Sequence, residues 1–312
     1  MRVFLAGATG AVGRRLVPLL VRDGHHVVGT TRGPAKLDEL GAFGAEPIVL
    51  DGLDADAVRQ AVIDAAPEVV IHQMTALSGD LDLRHFARAF AATNRLRTEG
   101  TDHLLSAATE AGAKRFIAQS FTGWPNEQTG GPIKTEEDPL LADPPDAVRE
   151  TVDAIRYLES AITGTRGIDG LALRYGGFYG PGQALGADGA MLEAVLSRKL
   201  PLVGKAGGIS SFIHIDDAAA ATALAVMRGG PGLYNIVDDE PAPASEWVPY
   251  LAEVVGAKPP RRVPVWLAKL IAGEPAVSMM TRTRGSSNAK AKRDLGWELR
   301  YPSWRKGFRE GL

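Results

Sequence analysis

Residues 2–16 read RVFLAGATGAVGRRL, and this opening constrains the fold more than any other stretch. An apolar, strand-like run enters a turn carrying Gly7, Gly10 and Gly13, and a helix-like pattern follows at once. A turn without side chains lets the backbone approach a pyrophosphate closely. The helix start beyond it offers free N–H groups and the positive end of its dipole. A small residue is also needed where such a helix packs on its strand. A glycine-rich turn with a structural role alone is the alternative. Five further strand-like runs follow in sequence, and they argue for the nucleotide reading.

Those runs alternate with amphipathic stretches. Strands are predicted at Val3–Ala6, His26–Thr30, Pro47–Leu50, Val69–His72, Arg115–Gln119 and Leu171–Arg174. Helices are predicted over roughly 11–22, 54–65, 84–111 and 146–164. The alternation implies parallel βαβ units, hence an α/β, doubly wound Rossmann sheet. After Arg174 the pattern turns irregular, with many glycines and prolines and short helices near 187–197, 216–227, 245–255 and 264–272. The expected division is a dinucleotide-binding domain over 1–177 and a smaller C-terminal α+β substrate lobe over 178–312, with some segments returning to the sheet. Residues 120–146, SFTGWPNEQTGGPIKTEEDPLLADPPD, interrupt the rhythm directly after a strand end. A loop of that length inside a domain suggests a substrate lid over 121–145, with a plain surface insertion as the alternative.

The expected cofactor contacts follow the strand ends. The turn supplies Gly7, Thr9, Gly10, Ala11, Val12 and Gly13. The second strand ends VVGTTRG, without the Asp or Glu that commonly holds a free ribose 2′-hydroxyl. Thr31 and Arg32 stand there, and a guanidinium suits a 2′-phosphate, so NADP is preferred and NAD is the alternative. Asp51 and Gly52 close the third strand, with Asp51 a candidate acceptor for an adenine amino group. Gln73, Met74 and Thr75 follow the fourth strand. His72 reads as a core histidine rather than a base.

Composition excludes several classes. The formal net charge is −2, which recruits neither nucleic acid nor an anionic membrane. The chain has no cysteine, so disulfides and thiolate chemistry are ruled out. There is no H-E-x-x-H, no close His/Asp cluster and no G-x-S-x-G, so neither a metal site nor a serine-hydrolase elbow is expected. The N-terminus opens on a strand and no 18-residue apolar span occurs, so no membrane partner and a cytoplasmic location are expected.

Taken together and in order, several segments resemble the extended short-chain dehydrogenase/reductase superfamily, of the NAD(P)-dependent epimerase/dehydratase type. They are GATGAVG, GTDHLLSAATEAGAKRFIAQS (100–120), ALRYGGFYGPG (172–182), SFIHIDDAAAATALAV (211–226), YNIVDDEP (234–241) and AKRDLGWELRY (291–301). The resemblance implies a Ser or Thr, a Tyr and a Lys acting on the substrate. In that scheme the Lys binds the ribose and lowers the Tyr pKa. The Tyr passes a proton while the nicotinamide passes a hydride. Charge building on a carbonyl oxygen needs such donors.

Departures from the family pattern matter as much. Tyr and Lys normally stand as Y-x-x-x-K. Four residues after Tyr157, Tyr175, Tyr179, Tyr234, Tyr250 and Tyr301 lie Ala161, Tyr179, Gln183, Asp238, Val254 and Arg305. If Glu159 matches the acidic residue that follows the motif, the pair falls on Thr151 and Ile155. Arg97 stands where a backbone-bracing Asn is usual. Ser210 and Ser211 replace an Arg that binds sugar-nucleotide phosphate, which argues against a sugar-nucleotide substrate.

The candidates left for chemistry are Ser120, Thr122 and Tyr157. Tyr157 lies two residues from Ile155, off its helix face, so packing or a dimer contact competes with catalysis. The resemblance implies cofactor contacts after the sixth strand, with Tyr175, Gly176 and Phe178 lining the nicotinamide side. Asp216 or Asp217 reads as a helix cap, and the resemblance implies substrate contacts at Arg282, Arg284 and Asn288. The expected function is an NADP(H)-dependent oxidoreductase or epimerase on a small carbonyl or hydroxyl substrate. A cofactor-binding sensor with little turnover and a non-redox lyase or isomerase are the alternatives. By analogy the chain is expected to form a homodimer.

Overall fold

The computed structural model describes residues 1–77 and 83–312. Seven strands form one all-parallel sheet: β1 (Arg2–Ala6), β2 (His26–Thr31), β3 (Glu46–Val49), β4 (Val69–His72), β5 (Arg115–Phe121), β6 (Asp169–Tyr175) and β7 (Gly232–Ile236). Their order across the sheet is β7-β6-β5-β4-β1-β2-β3. The strand order reverses at β1, whose neighbours are β2 and β4. A crevice opens at the carboxyl ends of the strands at such a point.

Alternate residues of each strand face opposite layers. Val3, Leu5, Val69, Ile71, Ile117, Leu171 and Leu173 pack on one side against α1 (Gly13–Arg22) and, from the far part of the chain, Ala218, Ala221 and Ala225. Phe4, Val70, Phe116, Ala118 and Ala172 pack on the other side. After α2 (Leu37–Ala42), that second layer is built by α3 (Ala55–Ala65), α4 (Phe86–Arg97), α5 (Glu99–Glu110) and α6 (Asp146–Gly164). Burial on both faces explains why these strands read as near-continuous apolar runs.

The remaining helices are α7 (Ala190–Leu196), α8 (Ile215–Ala225), α9 (Ala244–Val254), α10 (Val265–Thr281), α11 (Ala289–Leu295) and α12 (Trp304–Glu310). The core of the C-terminal region is aromatic, with Tyr179, Phe212, Trp247, Trp304 and Phe308 in one cluster. Among the described residues, no helix is long and apolar enough to cross a membrane.

Three elements differ from the sequence reading. β7 was not among the six expected strands. It lies in a segment read as part of the C-terminal lobe and pairs along β6 from Gly232↔Leu171 to Ile236↔Tyr175. The helix expected over 84–111 is broken at Thr98 (φ −97°, ψ −83°), whose hydroxyl bonds back to the Asn94 carbonyl at 3.1 Å. The helix expected near 264–272 runs on to Thr281 across a kink at Gly273, whose φ of +83° is open to glycine.

Candidate functional site: the carboxyl edge of the sheet

The first turn is built from backbone. Gly7 takes φ +88°, and its N–H donates to the Thr30 hydroxyl at 3.0 Å. A Cβ on Gly7 would lie 2.8 Å from the Gln73 carbonyl group, and one on Gly13 would lie 2.5 Å from the Gly7 oxygen. These contacts are with backbone, so neither position has room for a side chain. The Gly10 amide donates to the Gly7 carbonyl (3.0 Å), and Arg14 N–H donates to the Gly10 carbonyl (3.0 Å). The amides of Ala11, Val12 and Gly13 have no acceptor among the described residues, and α1 has no side-chain cap. Three unpaired amides on a positive helix end, behind a glycine-lined turn, fit the pyrophosphate of a dinucleotide.

The flanking strand ends carry the residues expected to hold the adenosine half. Thr31 is buried and its hydroxyl donates to the Gly33 carbonyl (3.3 Å), with Thr9 at 3.5 Å. Arg32 is exposed and makes no hydrogen bond or ion pair among the described residues. Asp51 accepts from Leu53 N–H (3.0 Å) in a tight Asx turn. A Cβ on Gly52 would meet the Met74 sulfur at 2.4 Å, so a side chain there would displace the flexible end of Met74. Gln73 is buried, whereas Met74 and Thr75 are half-buried beside it.

Past β4 the site changes character, because its side chains bind one another. Ser120 is fully buried, and its hydroxyl donates to Glu159 Oε1 at 2.6 Å. Glu159 also accepts from both Nε and Nη2 of Arg174, each at 2.7 Å. Thr122 shares a hydrogen bond with the Ser286 hydroxyl (2.7 Å) and donates to Asn126 Oδ1 (3.2 Å). Tyr157 does not join them. It is 43% exposed on the outer face of α6, where its phenol donates to the Asp102 carboxylate of α5 (2.7 Å). That bond, before its partial burial, raises the phenol pKa.

Thr151 and Ile155 are both fully buried; Thr151 accepts from Asn94 Nδ2 at 3.0 Å, and Ile155 packs among Phe86, Phe90 and Val152. The expected lining role of Tyr175 meets a different geometry. Its ring lies in the sheet core, and its phenol donates to Thr222 (2.6 Å), whose own proton goes to the Ala218 carbonyl (2.7 Å). The phenol oxygen accepts from Gln73 Nε2 (2.9 Å). Burial pushes the phenol pKa up to about 12. Tyr175 therefore braces Gln73 from below. Gly176 is packed against the Ser211 carbonyl, which a Cβ would approach to 2.6 Å. Phe178 packs with Val12 beside the first turn.

Two buried nitrogen-bearing side chains stand at the ends of β4 and α4. The Nε2 of His72 bonds the Leu96 carbonyl (3.0 Å), and its Nδ1 accepts from Met74 N–H (3.2 Å). Burial lowers its pKa to about 4, and the nearby Arg97 charge adds to the effect. Arg97 is only 5% exposed. Burial lowers its pKa to about 10 against the pull of Glu159, so it remains a cation at neutral pH.

Residues 120–146 are tied down. Asn126 bridges to Leu140, and Ile133–Lys134 pairs in parallel with Gly285–Ser286. Trp124, Leu140 and Leu141 pack on Phe86, Val148 and Val152. Arg284 holds the same segment by donating to the Gln128 carbonyl (2.6 Å), while Arg282 pairs with Glu274 and Asn288 with Asp239. The cap expected from Asp216 or Asp217 is supplied by His214, which accepts from Asp216 N–H (3.1 Å). Asp217 instead accepts from the Arg300 and Tyr301 amides (2.8 and 2.9 Å), and Asp216 pairs with Arg15 (2.8 Å). Glu159–Arg174 is the contact that sequence reasoning missed, although an arginine in the apolar strand LALRY signals a buried partner.

Comparison with known proteins agrees with this layout. The NAD dependent epimerase/dehydratase family model matches residues 3–236. A Streptomyces protein named 3-diazoavenalumate denitrifying reductase is 43% identical over 309 residues, 99% of each chain. Two solved structures share the fold. The UDP-glucose 4-epimerase of Thermus thermophilus, in complex with NAD, has a TM-score of 0.75 and 23% identity, covering 99% of this chain and 97% of that one. A human epimerase family protein with NADPH has a TM-score of 0.75 and 20% identity, covering 99% and 98%. The chain belongs to the NAD dependent epimerase/dehydratase family, as an enzyme of its oxidoreductase or epimerase kind.

Proposed function

We propose that this chain is an NADPH-dependent reductase that passes hydride to a small organic acceptor other than a sugar nucleotide, without a proton from a tyrosine–lysine pair. One observation carries the reading. Thr151 and Ile155 are closed into the core and Tyr157 faces Asp102 outside, so the three α6 positions weighed for proton transfer present no phenol to the cleft. Ser120 gives its proton to Glu159, so it too lacks a free proton for an alkoxide. NADPH over NADH is supported by the acid-free end of β2 and by the unpaired, exposed Arg32. The unpaired Ala11 and Val12 amides would hold the pyrophosphate. A nicotinamide bound there supplies the hydride.

An acceptor that needs no proton suits this site best. The name of the Streptomyces relative joins reduction to loss of a diazo group. Hydride addition to the carbon of an arenediazonium breaks the C–N bond and releases dinitrogen: Ar–N₂⁺ + H⁻ → Ar–H + N₂. No oxygen gains charge and no general acid is required, whereas a ketone would leave an alkoxide in need of one.

The test is stereospecific isotope transfer. Purified protein is incubated with NADPH deuterated on one face of C4 and either an arenediazonium or a ketone panel, with protein-free controls for the uncatalysed reaction. The expected result is deuterium on the ring carbon from one face only, with dinitrogen release. Tight NADPH binding without transfer to any acceptor would make the chain a sensor and overturn the reading.

A further inference from the structure

Arg97 carries a buried charge that the fold leaves without a partner among the described residues. Arg97 is 5% exposed, and its Nη1 is sealed from solvent with no acceptor. Its guanidinium forms no hydrogen bond or ion pair among the described residues. The groups around it are already committed. Glu159 has Oε1 filled by Ser120 and Arg174, and Oε2 by Arg174. His72 uses both ring nitrogens on Leu96 and Met74. A deeply buried guanidinium with unmet N–H groups is costly, and such groups are retained where something else meets them.

Topology says what that is. α4 follows β4 and α6 leads into β6, so both helices run away from the carboxyl edge of the sheet. The Asn94–Thr151 hydrogen bond fixes their register. One turn further along each, Arg97 comes level with Ile155, the apolar residue at the position that the family resemblance gives to a lysine. The pyrophosphate turn sits at β1, and Thr31, Arg32 and Asp51 close β2 and β3 on one side of it. A dinucleotide with its adenosine on that side extends its other half over β4 and β5, and His72 at the end of β4 bonds the carbonyl of Leu96, the residue before Arg97.

We infer that Arg97 is the donor for the hydroxyl oxygens of the nicotinamide-side ribose, a fixed cation reaching the cleft from α4 in a chain whose α6 has an isoleucine at the corresponding level. This inference rests on the cofactor reading above. It concerns cofactor positioning, and it is separate from the identity of the acceptor.

The test compares NADPH with 2′,5′-ADP, which lacks the nicotinamide half, by calorimetric titration of the full chain and of Arg97→Met. NADPH binding is expected to weaken by about 10- to 100-fold, the range for a hydrogen bond from a charged donor, with 2′,5′-ADP binding unchanged. Arg97→Met combined with Ile155→Lys should recover NADPH affinity, because the cation is restored from the facing helix. If Arg97→Met does not fold, Arg97→Gln is read in the same way. Unchanged NADPH affinity, or equal weakening of both ligands, overturns the role of Arg97 while leaving the cofactor reading in place. Failure of the wild-type chain to bind either ligand overturns both.

Discussion

The two ends of the sheet's carboxyl edge are made from different materials. At β1 the site is backbone: glycines that have no room for a Cβ and amides that have no acceptor. At β5 and β6 it is side chain: Ser120, Glu159 and Arg174 close on one another, and Thr122 closes on Asn126 and Ser286. The first end is kept ready for a ligand by what it lacks. The second holds its shape by pairing its side chains with one another, while the Arg97 Nη1 nearby has no acceptor among the described residues. A turn with free backbone amides can thus sit beside a strand end whose hydroxyls serve the fold.

The largest expected effect breaks the paired end. Glu159→Gln removes the charge that Arg174 and Arg97 both feel, leaving two buried guanidinium groups uncompensated. Urea unfolding should show a loss of about 3–5 kcal/mol, and Glu159→Gln with Arg174→Met should recover part of it. A loss within about 0.5 kcal/mol would mean that the network is no more structural than a surface pair.

A second effect reads the same layer through pH. Neutral His72 fits because one ring nitrogen receives the Met74 N–H while the other bonds the Leu96 carbonyl. Protonation would set two donors against each other beside Arg97. The folded-state pKa of about 4 lies below the ordinary 6.5, so the unfolded chain binds more protons between these values. Stability from this group is therefore full above pH 6.5 and falls as pH drops toward 4, by about 3 kcal/mol at most. His72→Gln should flatten that part of the stability profile relative to wild type; parallel profiles would refute the assignment.

At the backbone end the measurable loss is in binding. A Cβ at Gly13 meets the Gly7 and Ala8 oxygens at 2.5 and 2.6 Å, and neither can move without opening the turn. Gly13→Ala should weaken NADPH binding by about 100-fold, roughly 2.7 kcal/mol, as measured by fluorescence titration. Retained affinity would show that the turn tolerates rearrangement and that the unpaired amides are not the grip.

The same contrast governs what the sequence made legible. Gly7, Gly10 and Gly13 announce themselves because a backbone site is local, with strand, turn and helix all within residues 2–22. The first six strands follow from their apolar runs for the same reason. The seventh, GLYNI, is no shorter than β3 or β4 but follows α8 in the segment read as a separate lobe, so its return to the sheet beside β6 depends on tertiary pairing. Glu159 and Arg174 are 15 residues apart and Thr122 and Ser286 are 164 apart. No periodicity reports a partner at that distance. Ser120 and Thr122 could be named from their position at the end of β5, but their partners could not. Tyr175 was placed at the right strand end, and only the structure shows its phenol directed to Thr222 and Gln73.

The smallest expected effect separates α6's outer face from its inner one. Tyr157 is the tyrosine nearest the expected catalytic positions in sequence, yet i and i+2 residues point to different sides of a helix. Its phenol is tied to Asp102 in a solvent-screened pair. Tyr157→Phe should change stability by no more than about 0.5 kcal/mol and leave hydride transfer unaltered. A large fall in the transfer rate at unchanged NADPH affinity would bring this phenol back to the reacting atoms. It would also remove the observation on which a proton-independent acceptor rests, and a carbonyl substrate would then fit better than a diazo one.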